Sequence, residues 1–84
     1  MKIIEKEIHS LSNGAIFARL QVLGKRGEKI SLEELGIKNK ILVFYHEAPK
    51  NPIDCTHFPS ENTIELGGSV NETKRSLYLI FGNT

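Results

Sequence analysis

Apolar and polar residues alternate most cleanly near the start of the chain. Ile16, Ala18, Leu20 and Val22 interleave with Phe17, Arg19 and Gln21, the two-residue period of a strand buried on one face. With the preceding "KIIEKEIHS", this segment predicts a β-hairpin over residues 2–24. The register follows from which turn keeps the two faces distinct. A two-residue Asn13-Gly14 turn sets Ile8 against Arg19 and Glu7 against Leu20, which mixes faces. A three-residue loop, Ser12-Asn13-Gly14 with a left-handed glycine, sets Ile8 against Ala18, Ile4 against Val22 and Glu7 against Arg19. The three-residue loop is therefore expected.

Beyond the hairpin the pattern changes. Residues 24–40, "GKRGEKISLEELGIKNK", read as a polar, glycine-punctuated connection. Within it "SLEELGI" has the form of one capped helical turn, with Ser31 and Glu34 at capping-box spacing, Gly36 left-handed at the end and Ile37 folding back. "KILVFYHE" (40–47) is apolar without a break and predicts a central strand buried on both faces. "NTIEL" (62–66) predicts a shorter strand, and "RSLYLIFG" (75–82) a last one. The competing possibility is an amphipathic helix over the C-terminal third, an α+β fold. Five consecutive apolar residues suit a strand better than a helical stripe. The expected fold is mainly β: a small barrel or compact two-layer antiparallel sheet of five to six strands with one short helical turn, forming a single domain over residues 1–84.

Composition narrows the functional classes. Eleven basic residues against 10 acidic ones give a net charge of +1, which argues against a partner held by bulk electrostatics such as duplex DNA or an anionic membrane. The single cysteine cannot form an intramolecular disulfide, and together with the charges at Glu5, Lys6 and Glu7 it points to a cytoplasmic protein. The apolar run at 41–45 falls far short of the ~20 residues a membrane helix needs.

Candidate chemistry gathers in "HEAPKNPIDCTHFP" (46–59), which holds all three prolines, the cysteine and two of the three histidines. Cys55 and His57, two apart, would face the same way on an extended backbone. His46, Glu47 and Asp54 could complete a zinc shell, but the paired spacing typical of structural zinc sites is missing. A Cys55–His57 or Cys55–His46 pair could also make a nucleophile, although so small a domain has little volume for a shaped pocket. The expectation is therefore no metal, no cofactor and no catalytic set. The segment reads instead as a long crossing between strands, partly rigidified by proline. His46, Lys50, Ile53, Asp54, Cys55, His57 and Phe58 become candidate contacts for a partner.

A second candidate is an aromatic and basic face for single-stranded nucleic acid, formed by Phe17, Arg19, Lys25, Arg26 and Lys29. Glu7 and Glu5, placed beside Arg19 and Gln21 by the expected register, cancel much of its positive potential, and one phenylalanine is a poor stacking platform. The leading expectation is a non-catalytic interaction protein acting by surface complementarity, one that inhibits a protein partner or sequesters a small ligand. Strand-edge pairing offers a route to a homodimer.

Overall fold

The structure, a computed structural model, describes residues 1–48 and 55–83. These fold as seven strands and one 3-10 turn: β1 (Lys2–Ser10), β2 (Ile16–Gly24), β3 (Lys29–Ser31), the turn Glu33–Leu35, β4 (Lys40–Ala48), β5 (Cys55–Phe58), β6 (Thr63–Leu66) and β7 (Thr73–Asn83). A four-stranded sheet has the order β1-β2-β7-β4, and a three-stranded sheet the order β3-β6-β5. Every pairing is antiparallel. The mainly β reading holds, and the C-terminal third is a strand, not a helix.

The hairpin turn is the three-residue loop. Leu11 N–H donates to Ala15 C=O at 2.8 Å and Gly14 N–H to Leu11 C=O at 3.0 Å, with Gly14 at φ +86°. Ile8 faces Ala18 and Glu7 faces Arg19 as the pattern requires. The ladder then breaks between Ile3 and Glu5. Ile3, not Ile4, faces Val22, because a bulge at Ile4 turns that side chain outward.

Two further expectations need correction. β4 is an edge strand and not a central one, since it pairs only with β7. Its apolar run serves two surfaces: Leu42 and Tyr45 pack on the core, while Val43 and Phe44 are 63% and 49% exposed. The central position belongs to β7, which pairs with β2 on one edge and β4 on the other. The helical turn is capped differently as well. Ser31 is the last residue of β3, and the residue preceding the turn is Leu32, with no side-chain cap. The C-terminal half of that reading stands: Gly36 is left-handed at φ +76°, and Ile37 N–H returns to Leu32 C=O.

The extra strands, β3 and β5, are three and four residues long, too short for alternation to show in the sequence. β5 replaces part of the expected crossing. Pro59 directly follows it, so its backbone N–H groups remain free to pair with β6.

The core lies between the two sheets. Ala18, Leu20, Val22, Leu77, Leu79 and Phe81 project from β2 and β7 onto Ile30, Leu32, Leu35, Ile37, Ile64 and Leu66. Asn62 ties the 3-10 segment to the β5–β6 turn. Its Nδ2 donates to Ile37 C=O at 2.8 Å, and its carbonyl accepts from Leu32 N–H at 2.9 Å. Asn83 does the same for the hairpin, donating from Nδ2 to Asn13 C=O at 3.0 Å.

Two glycine substitutions should separate backbone strain from crowding. Gly36→Ala meets open space, so it should cost only the left-handed penalty, about 1–2 kcal/mol. At Gly14 a Cβ would stand 2.9 Å from Asn83 Nδ2 and break the Asn13 tie. Gly14→Ala should therefore lower the urea midpoint further than Gly36→Ala does.

Candidate functional site

The four-stranded sheet has one face on the core and the other toward solvent. The register sets out the outer face in rows across the strands. One row runs His9 (β1), Phe17 (β2), Ile80 (β7), Phe44 (β4). The next runs Glu7, Arg19, Tyr78, His46, and the next Glu5, Gln21, Ser76, Ala48. Beyond Phe44 the bulge places Val43 against Gly82: a Cβ there would sit 3.4 Å from Val43 Cγ1. Ile41 lies opposite Gly82 and is 43% exposed.

Two pairs of rings pack together on this face. His9 and Phe17 stack with centroids 6.2 Å apart at 23°, and His46 tilts against Tyr78 at 6.0 Å. Such contacts hold aromatic side chains in place while their outer faces stay available. Arg19 Nε donates to Glu7 Oε1 at 3.1 Å, and Glu7 Oε2 lies 3.0 Å from His9 Nε2. Those two hydrogen bonds, His9 first, hold the Glu7 carboxyl below its ordinary range. The face thus has an aromatic, apolar end and a charge-compensated end.

Sequence reasoning named Phe17, Arg19 and His46 here but missed Tyr78, Ile80, Phe44, Val43 and Ile41. Period-2 parity along "RSLYLIFG" separates Arg75, Leu77, Leu79 and Phe81 from Ser76, Tyr78, Ile80 and Gly82. That signal was legible, yet an unbroken apolar run hides it.

The remaining candidates disperse. Lys25 and Arg26 lie in the turn after β2, where Arg26 N–H donates to Ser69 C=O at 2.7 Å. Lys29 belongs to the other sheet, with Nζ 3.1 Å from Glu61 and 4.8 Å above the Phe58 ring. The expected basic face is therefore split between two sheets. Lys50, Ile53 and Asp54 lie outside the described residues. Cys55 and His57 do share a side of β5, facing Leu66 and Ile64 across the ladder, whereas His46 sits on the outer face of the other sheet. Among the described residues no three His, Cys, Asp or Glu side chains gather as a metal site.

His57 instead closes the seam between the sheets. Its Nδ1 accepts the Leu42 N–H of β4 at 3.2 Å, doing what a neighbouring strand's carbonyl would otherwise do. The ring meets Phe81 edge-on at 6.1 Å. The neutral tautomer with the proton on Nε2 is the one this bond requires. Burial pushes the His57 pKa below its ordinary value.

A second polar group is buried inside the four-stranded sheet. Arg75 and Glu47 are each only 3% exposed. Arg75 Nε and Nη2 donate to Glu47 Oε2 and Oε1 at 2.8 and 2.7 Å, and Tyr45 Oη donates to Glu47 Oε1 at 2.6 Å. Burial, then the bond to Glu47, holds the Tyr45 phenol well above its ordinary range. Burial alone would lower the Arg75 guanidinium, but Glu47 carries it upward.

The arrangement defines a two-sheet antiparallel β protein that presents an aromatic face to solvent and holds the Arg75–Glu47 ion pair in its interior. Among known proteins the chain matches no family model, no curated protein and no solved structure. Among the described residues no helix is long and apolar enough to cross a membrane.

Two predictions follow from the buried groups. Glu47→Gln should cost about 3–5 kcal/mol in urea unfolding by stranding the Arg75 charge, and Glu47→Leu with Arg75→Met should recover much of it. For His57 the unfolded chain binds a proton more readily than the folded one. Stability should therefore fall as pH drops below about 6.5 and level off below the folded-state pKa. His57→Gln, which keeps an acceptor for Leu42, should flatten that part of the curve.

Proposed function

We propose that this protein is a non-catalytic interaction module that binds a protein partner through the outer face of its four-stranded sheet. The observation that carries this reading is the cross-strand row His9–Phe17–Ile80–Phe44, extended by Val43 and Ile41. Ile41, Val43 and Phe44 are left at the surface, and the rings of Phe17 and Tyr78 already pack against His9 and His46. Ordered aromatic side chains surrendering little entropy are characteristic anchors of protein interfaces. The compensated Glu7–Arg19 row supplies a polar margin without a strong field of one sign. A protein partner suits the face better than a small ligand, because its aromatic and apolar side chains are spread in a row across four strands. The groove along the hairpin, about 290 Å³ and lined by Glu5, Lys6, Glu7, Arg19, Leu20 and Gln21, is open to solvent and bordered chiefly by charged side chains. Inhibition of that partner is the simplest activity such a module performs, since covering a surface requires no chemistry.

One observation favours a second reading. Phe17, Phe44 and Tyr78 share a face, so the stacking platform that a single phenylalanine could not provide is present, with Arg19 beside Tyr78. The glutamate against Arg19 opposes it by neutralising the charge a phosphate would need.

Affinity capture on immobilised protein, read by mass spectrometry, tests the proposal. A captured protein should bind about 30-fold more weakly to Phe44→Ala, while the folded spectrum is unchanged because Phe44 lies outside the core. Retention of single-stranded RNA that falls steeply with salt and needs Arg19 would replace it with the nucleic-acid reading.

A further inference from the structure

Among the described residues β1 is hydrogen-bonded along one edge only. β2 occupies that edge, and β1 ends the sheet on the other. The first half of the open edge is flanked by the 3-10 turn, which forms with it a groove of about 340 Å³ lined by Ile3, Ile4, Glu5, Lys6, Glu34 and Leu35. From Lys6 to Ser10 no described backbone pairs with it. The phase of the ladder is set by the Leu11 N–H bond to Ala15 C=O. Antiparallel alternation then turns the backbone groups of Glu7 and His9 toward β2, and those of Lys6, Ile8 and Ser10 outward.

We propose that two copies of this chain pair antiparallel along this edge, with the twofold axis at Ile8. Side-chain charge selects that register. An axis at Lys6 sets the two lysines against each other and Glu5 against Glu7 of the second copy. An axis at Glu7 sets two glutamates in contact, and one at His9 two imidazoles. With the axis at Ile8, no like charges face one another. Ile8 meets Ile8, Lys6 meets Ser10, and Glu7 meets His9 of the second copy. The outward N–H and C=O groups of Lys6, Ile8 and Ser10 then all pair across the seam. The bulge beyond Ile3 and the flanking 3-10 turn stop the ladder from running further.

A twofold normal to the sheet keeps both outer faces on the same side. The two four-stranded sheets become one, and the His9–Phe17 rows of both copies flank the seam. The dimer thus doubles the aromatic face, although its formation does not depend on what that face binds. Five residues from each strand make a small interface, below the about 1,000 Å² of a stable one, so association rises with concentration.

Sedimentation equilibrium from micromolar to millimolar protein should show monomer passing to dimer. Lys6→Pro removes an outward N–H from an exposed position on an edge strand, where proline is tolerated, and should weaken association about tenfold or more. Register is read independently by mixing Glu7→Cys and His9→Cys proteins under oxidation. The mixture should link position 7 to position 9 between copies, as identified by mass spectrometry, faster than either variant links to itself. A chain that stays monomeric throughout, a folded Lys6→Pro protein that dimerises like the parent, or cysteine variants that link no faster mixed than alone would each overturn the proposal. The cysteine mixture decides the matter even if the proline variant fails to fold.

Discussion

The structure depends on the alternation of β7. This strand is paired along both edges, with β2 and with β4, so its register fixes the positions of its neighbours. Arg75, Leu77, Leu79 and Phe81 point inward and are buried. Tyr78 and Ile80 point outward and form the middle of the aromatic face. A slip of one residue would exchange these sets, placing Tyr78 and Ser76 in the core and Phe81 in water. The core and the candidate binding face are therefore two readings of one strand.

The polar interior supports that register. A buried ion pair adds little net stability, because removing two charges from water offsets most of their attraction. Its geometry is demanding, however. The two-pronged contact of Arg75 with Glu47 fits only when β4 and β7 are aligned as observed, and Tyr45 fixes the carboxylate further. His57 acts in the same way at the seam. It bonds to a single β4 amide, so the two sheets meet there through a side chain without merging into one ladder. These contacts specify an arrangement that apolar packing alone would leave less constrained.

The outer face gains its character from β4 being covered on one face only. A strand buried on both sides would have hidden Phe44 and Ile41 under another layer. As an edge strand with a bulge at Val43, it carries apolar residues that face solvent beside the rings of β2 and β7. The bulge and the His57 contact both interrupt the outer edge of β4, which discourages further strands from adding there. The open backbone is left on the opposite side of the sheet, at β1. Surface recognition and edge pairing are thereby assigned to different parts of the same sheet.

The sequence by itself determined what short-range physics controls. The alternation at 16–22, the left-handed glycines at 14 and 36, and the charge pairing of Glu7 with Arg19 are local facts, so the hairpin, its loop and most of its register were legible. So was the strand character of residues 75–82. Local pattern could not say which apolar strand is central, because "ILVFY" and "LYLIF" look alike and differ only in what pairs with their edges. It could not foresee β5 either, whose four residues gain strand geometry from β6. The candidate site divided along the same line. Phe17, Arg19 and His46 could be named from the chain, but their union with Tyr78, Ile80 and Phe44 arises from pairings between strands far apart in sequence. Long-range hydrogen bonding decided which side chains share a surface, and only the tertiary structure records it.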